Sequence, residues 1–234
     1  MTSDPAGRPP LPVRRRRNLA GDVADHLRDS ILTGRLRPGQ RIDQDALAAE
    51  LGVSRLPVRE ALITLDQEGL IQTVPRRGSY VQRLQPDDIT DHYEIFGHVS
   101  GLAAARAATR IGADQLAALR GVHEQMGTST DAAAQERLNF EFHRIINAAG
   151  ASRRLTSVLR LLSRSLPMHY YEFVPGWSAA AQAEHGKILR ALQRGDAEAA
   201  RKAMERHLAD SAQHAVDVLQ RLDFFAEDPD HARP

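Results

Sequence analysis

The stretch from Asp45 to Leu62 constrains this chain more than any other. Two apolar periodicities meet there at a glycine. Leu47, Ala48 and Leu51 fall at i, i+1 and i+4, one face of a short helix. Gly52 follows, where a helix end needs a residue tolerant of positive φ, and Val53 is placed to plug the angle between two helices. Ser54 and Arg55 open a second helix, with Pro57 in its first turn, where a missing N–H is harmless. Val58, Ala61, Leu62 and Leu65 then repeat at i, i+3, i+4 and i+7. Arg55 and Arg59 are one turn apart and fall off that stripe. The spacing predicts a helix-turn-helix whose second helix offers its N-terminal polar residues to base edges. An ordinary helical hairpin with solvated arginines has the same spacing.

The sequence that follows separates the two. Thr73 to Val81 reads as two strand segments, with Val74 and Val81 as paired strand residues and Pro75-Arg-Arg-Gly78 as the turn between them. A two-stranded wing tipped by Arg76 and Arg77 suits a phosphate backbone or a minor groove. Charge is distributed accordingly. Residues 1–85 hold 14 Lys/Arg against 10 Asp/Glu, and the remainder 17 against 20, so the basic half carries the wing.

Residues 19–83 resemble the DNA-binding domain of the GntR family of bacterial transcription regulators. The resemblance rests on Gly34-Arg-Leu-Arg-Pro-Gly39, Leu47-Ala-Ala-Glu-Leu-Gly-Val-Ser-Arg55, Pro57-Val-Arg-Glu-Ala-Leu62, Glu68-Gly-Leu70 and Pro75-Arg-Arg-Gly78, in that order. It implies that Ser54, Arg55, Pro57, Arg59, Arg76, Arg77 and Gly78 form the DNA-contacting set. Leu56 departs from the pattern, standing where relatives carry Thr or Ser and removing one phosphate contact.

The rest of the chain is organised around this domain. Residues 1–17, rich in Pro, Gly and Arg, are expected to form a disordered basic arm; Arg14 to Arg17 add non-specific DNA affinity or are simply solvated. Leu19 to Thr33 is predicted as an amphipathic helix lined by Val23, Leu27 and Ile31, and Asp43 is placed to cap the next helix. The winged domain is expected over 18–83, with a hinge over 82–86. Beyond it the pattern is all helical, with segments at about 87–110, 113–127, 130–149, 152–173, 178–194 and 196–222. Pro167 should kink the fourth. Gly195-Asp196 supplies a stop and a cap before the last, and 223–234 is expected to be a flexible tail. The fold class is therefore mainly α: a winged helix-turn-helix with a small β-wing, then a six-helix bundle. The absence of cysteine excludes disulfides and thiolate metal sites and fits a reducing cytoplasm. No apolar run approaches the ~18 residues of a membrane span, and no signal peptide is evident.

Three histidines in the helical half stand apart. Asn139 and His143 are four apart and share a helical face. His185 sits with Ile188, Leu189 and Leu192, and His207 with Met204 and Leu208. Imidazoles from three helices can converge in a bundle core on a divalent metal, although a chain with 10 histidines places some in helices by chance. Residues 87–222 resemble the FCD ligand-binding domain of the FadR subfamily, in its shorter VanR-like branch, through Asn139-Phe-Glu-Phe-His143, Glu184-His185 and His207-Leu208. That resemblance implies a divalent metal, Zn with Ni or Mn as alternatives, held by Asn139, His143, His185 and His207. The neutral amide of Asn139 is a weaker ligand than a carboxylate. It also implies effector binding and dimerisation in the bundle.

A metal-held small organic acid would want an arginine fork as well. Arg106, Arg144, Arg160 and Arg164 are the candidates, with His169, Tyr170 and Tyr171 as further pocket-lining residues. Relatives carry Arg and Glu where this chain has Phe96 and Ser100, which points toward a less polar effector. His214, seven residues after His207, is read as structural rather than ligating. The implied protein is a cytoplasmic, dimeric, ligand-responsive regulator, a repressor in the commoner mode, that binds a pseudo-palindromic double-stranded operator. It is not an enzyme. The alternatives are a metal-dependent hydrolase fused to a DNA-binding module, for which neither a His-Glu-x-x-His pattern nor a nucleophile is present, and a regulator whose metal is purely structural.

Overall fold

The computed structural model describes residues 18–164, 177–221 and 224–225. Its elements in chain order are α1 (Leu19–Leu32), β1 (Arg41–Ile42), α2 (Gln44–Glu50), α3 (Arg55–Gln67), β2 (Ile71–Val74), β3 (Gly78–Val81), α4 (Pro86–Ala108), α5 (Ala113–Thr128), α6 (Ala132–Gly150), α7 (Arg153–Arg164), α8 (Trp177–Gln193) and α9 (Ala197–Arg221). The expected arm, the kink at Pro167, and His169, Tyr170 and Tyr171 lie outside the described residues.

The first half is a winged helix-turn-helix. Asp43 caps α2, its Oδ1 accepting from the backbone N–H of Asp45 (2.9 Å) and Ala46 (3.1 Å). Gly52 takes φ +62° in the turn, a conformation that disfavours any residue with a Cβ. The Val53 N–H donates to the Ala48 carbonyl and closes the corner. The predicted stripe of Val58, Ala61, Leu62 and Leu65 is buried against Val23, Leu27 and Ile31 of α1. Glu68 has a role that the pattern alone does not reveal. Its carboxylate receives a two-pronged hydrogen bond from Arg28 of α1 (Nη2–Oε1 3.0 Å, Nε–Oε2 3.1 Å) with both side chains buried, and this clamps α1 to the end of α3.

Two strand expectations are corrected. Val74 and Val81 do not face each other: Val74 pairs with Gly78, and Val81 with Ile71. The three residues Pro75–Arg77 close the hairpin, so the strands meet at its ends rather than valine to valine. The wing also gains a third strand, in the order β1-β3-β2, with Arg41 opposite Tyr80 and Ile42 opposite Ser79. A two-residue strand is too short to leave a periodicity.

In the helical half α4 and α9 pack along each other. Small residues let them approach. A Cβ on Gly101 would meet the Glu205 side chain at 2.9 Å, and Gly97 lies against Leu208. Gly150 does the same for α6, since a Cβ there would overlap the Ala103 carbonyl oxygen of α4. The start of α4 is secured by Asp88, whose Oδ2 accepts from the Gln85 N–H at 2.7 Å. Gly195 (φ +66°) and Asp196 act as predicted, the Asp196 Oδ1 accepting from the Ala199 N–H at 3.0 Å. One correction falls at the C-terminus. Phe224 lies in the stretch read as a flexible tail, yet it is 2% exposed in the core, because two adjacent phenylalanines in a polar tail show no period. Among the described residues, no helix is long and apolar enough to cross a membrane.

Candidate functional site

Two sites emerge, one in each half. In the bundle, His143 of α6, His185 of α8 and His207 of α9 bring one ligand atom each to within 4.8 Å of one another. The rings of His143 and His207 stack at 5.3 Å with 18° between planes, and the His185 ring lies 5.4 Å and 4.5 Å from them. Phe142 backs the cluster, its ring 4.5 Å from that of His185. His185 and His207 are buried, and His143 keeps some solvent exposure.

Burial sets the chemistry of the three rings. Desolvation, then the neighbouring His207, push His143 down to about 3. Burial takes His207 to about 4 and holds His185 well below the ordinary imidazole value. All three are therefore neutral at pH 7, each with a free lone pair. The tautomer of His207 follows from its partner: Nδ1–H donates to Glu184 Oε2 at 2.8 Å, which leaves Nε2 as the lone-pair nitrogen. Burial and the hydrogen-bonded Asp210 carboxylate push Glu184 up to about 7.

The donor set fits a divalent metal. Both ring nitrogens of the fully buried His185 lack a hydrogen-bond partner. An orphaned buried polar group of this kind costs free energy, and a cation taking one of its nitrogens would offset part of that cost. Three neutral imidazoles are a suitable ligand set for zinc. Asn139 lies one turn before His143 on the same helix and is partly buried. His214 stands outside the cluster, and its Nδ1–H donates to the Asp210 carbonyl at 2.7 Å.

The effector arginines are placed less favourably. Arg144 is exposed and held by Glu141 (Nε–Oε2 2.6 Å, Nη2–Oε1 2.6 Å), and Arg160 is exposed. Neither is inward, because both fall on the solvent stripe of their helices. Arg106 is partly buried near the end of α4. The side chain of Arg164, and Tyr170, lie outside the described residues. Phe96 and Ser100 are both buried, and the Ser100 hydroxyl has no partner.

The second site lies on the winged domain. Ser54, Arg55, Arg59, Arg76 and Arg77 are exposed, and Gly78 opens β3 at the wing tip. Pro57 is corrected: its side chain is buried, so it shapes the first turn of α3 and offers no contact surface. Arg55 is paired across the turn with Asp45 of α2 (Nε–Oδ1 2.5 Å, Nη2–Oδ2 2.7 Å) in the open, the two side chains 77% and 62% exposed. The wing tip is a type II turn. The Arg77 N–H donates to the Val74 carbonyl at 3.0 Å, Pro75 occupies the second position, and Arg76 takes φ +64° at the third, where Gly or Asn is usual. The periodicity did not indicate Arg41. Its Nε lies 3.1 Å from where a Cβ on Gly78 would sit, which adds a basic group beside the wing.

Comparison with known proteins places both halves. Residues 19–81 match the family model described as bacterial regulatory proteins, gntR family, and residues 91–210 match the FCD domain. The chain belongs to the GntR family. Its FCD domain fits the FadR subfamily. An HTH-type transcriptional regulator of Mycobacterium tuberculosis is 33% identical over 149 residues, which is 64% of this chain and 61% of that protein, so the similarity spans less than two thirds of the relative's length. The HTH-type transcriptional repressor RspR of Escherichia coli is 27% identical over 208 residues, covering 86% of this chain and 91% of its own. Among solved structures, a GntR-family transcriptional regulator from Pseudomonas syringae pv. tomato aligns with TM-score 0.52 at 28% identity, covering 86% of each chain. The GntR relatives are regulators and not enzymes.

The residues that sequence reasoning missed are the supporting ones: Glu184, Asp210, Asp45 and Arg41. Glu184 had a signal, since it directly precedes His185. Nothing in the sequence indicated that it would serve His207 on another helix.

Proposed function

We propose that this GntR-family protein is a cytoplasmic, ligand-responsive repressor that binds a pseudo-palindromic operator as a homodimer and senses a small organic acid at a metal centre in its FCD domain. The observation that carries the sensor half is the trio of neutral, converging imidazoles, with both nitrogens of His185 unpartnered. His143, His185 and His207 would hold the metal, with Asn139 as the oxygen ligand. A divalent ion bound there supplies a Lewis-acidic point for a carboxylate oxygen. The chain's own residues do the rest. Glu184 fixes the orientation of the His207 ring, and Phe142 keeps water from the back of the cluster.

On the winged domain, Ser54, Arg55 and Arg59 would contact bases and phosphates in the major groove, and Arg76, Arg77 and Gly78 would engage through the wing. Their joint exposure on one basic domain supports this reading. Two protomers would set two recognition helices about one helical turn of DNA apart. An acid bound in the FCD domain would favour one relative pose of the two winged domains, and its differential affinity for the two poses sets the size of the response. The name of RspR supports the repressor sign.

The test is thermal melting of the purified protein against a panel of small organic acids, metal-stripped and zinc-loaded. A ligand that binds only the folded state raises the midpoint. An acid-dependent rise seen only with zinc is the expected result. A rise with zinc alone would favour a structural metal, and no rise with zinc would remove the metal centre.

A further inference from the structure

Leu56 stands at the apex of the recognition helix. The buried stripe of α3 runs through Pro57, Val58, Ala61, Leu62 and Leu65. At ~100° per residue, Leu65 lies about 180° around the helix from Leu56, so Leu56 points directly away from the core. It is 63% exposed, more than any other large hydrophobic residue described. It also occupies the first turn of α3, the end of a recognition helix that enters the major groove. Arg55 precedes it and Arg59 follows one turn later, both exposed.

A single exposed leucine on a protein surface ordinarily needs no explanation. This one occupies the position that the helix geometry aims at base edges, between two cations that would anchor the helix on either side of it. A leucine there can neither donate to a phosphate nor accept from a base. The bulkiest apolar group that a base pair displays in the major groove is the C5-methyl of thymine, where cytosine has only a hydrogen.

We propose that Leu56 is a specificity-determining residue that reads a thymine methyl group in each operator half-site. This rests on the DNA-binding reading above.

The test uses the full chain and double-stranded sites selected by it from random DNA. Each thymine of the selected half-site is replaced in turn by deoxyuridine, which keeps every hydrogen bond and removes only the methyl. One thymine is expected at which this change weakens wild-type binding about fourfold, as the loss of one buried methyl group predicts at ~0.8 kcal/mol. In Leu56→Ala, which should melt with the wild type because the side chain is exposed, the same change should cost nothing. Deoxyuridine tolerated at every position of a specifically bound site overturns the inference and leaves the DNA-binding reading standing. A deoxyuridine penalty that persists in Leu56→Ala also overturns it, since another group would then be reading the methyl. If no sequence is selected, both readings fall together.

Discussion

The Nδ1–H of His207 donates to Glu184 Oε2 at 2.8 Å, and this one bond decides which nitrogen of that buried ring is free to face the histidine cluster. Glu184 lies on α8 and His207 on α9, so the bond also ties together two helices that each contribute a ring to the cluster. A carboxylate behind a metal-binding imidazole fixes its tautomer and raises its basicity.

Glu184→Gln should therefore bind zinc about 10- to 100-fold more weakly than the wild type while keeping its helical circular dichroism. Competition with a chromophoric chelator measures this. Zinc affinity unchanged by the substitution would show that the ring is oriented by packing alone.

Arg55 is occupied by Asp45 in the absence of DNA, so the acid competes with the operator for the guanidinium. Asp45→Asn should tighten operator binding, because a negative charge next to the phosphate backbone is removed as well. Arg55→Ala should weaken specific binding by ~1–3 kcal/mol if Arg55 makes a bidentate base contact. Fluorescence anisotropy titrations of the three proteins at one salt concentration distinguish these outcomes.

Arg76 holds φ +64° in a turn position suited to glycine. A strained arginine at an exposed wing tip points to function rather than stability. Arg76→Gly should melt at the same temperature or a few degrees higher, gaining up to ~1 kcal/mol from relieved backbone strain. The same variant should bind DNA more weakly at every sequence, with the salt slope reduced by ~1 if Arg76 contacts a phosphate. Loss of both stability and binding would instead assign Arg76 a structural role.

His92 provides a pH test away from the cluster. Burial holds its folded-state value below the ordinary 6.5, and its Nε2–H donates to the Leu162 carbonyl at 3.0 Å, tying α4 to α7. The unfolded chain thus takes up a proton there before the folded one does. The stability contributed by the neutral ring is full above pH 6.5 and is lost as pH falls from 6.5 toward the depressed folded value. In the metal-free protein, the midpoint of His92→Gln should fall less steeply than that of the wild type between pH 7 and pH 5. Parallel profiles would mean that His92 does not titrate on unfolding.

The clamp of Arg28 on Glu68 is buried on both sides, so removing one partner is costly. Glu68→Ala leaves the buried guanidinium with the exposed Asp25 carboxylate (Nη1–Oδ1 2.5 Å) as its remaining partner and should cost about 3 kcal/mol, the low end of what the loss of one partner of a buried pair costs. Urea denaturation followed by far-ultraviolet circular dichroism measures the cost, and a loss below about 1 kcal/mol would mean that Arg28 rotates out to water.

Local chemistry made most of the elements legible from the residues alone. The helices of both halves follow from the 3.6-residue period of Leu, Ile, Ala and Val, and several of their ends from Asp43, Gly52 and Gly195-Asp196, which act within a few residues of themselves. The recognition helix was readable for the same reason. Its buried stripe excludes Arg55, Leu56 and Arg59, and a side chain that is not in the core stripe of a surface helix is on its outer face.

Only the tertiary structure could decide relations between elements far apart in sequence. Periodicity places His143, His185 and His207 on inward faces, but a helix can slide or turn against its neighbour by a residue. The close packing allowed by Gly97, Gly101 and Gly150 sets the register that brings the three rings together. The same holds for Glu184 behind His207, Asp45 against Arg55, Glu68 under Arg28, the two-residue strand at Arg41, and Phe224 in the core. Each joins groups whose spacing in sequence carries no period, so their meeting is a property of packing, whereas the helices that carry them are a property of the chain.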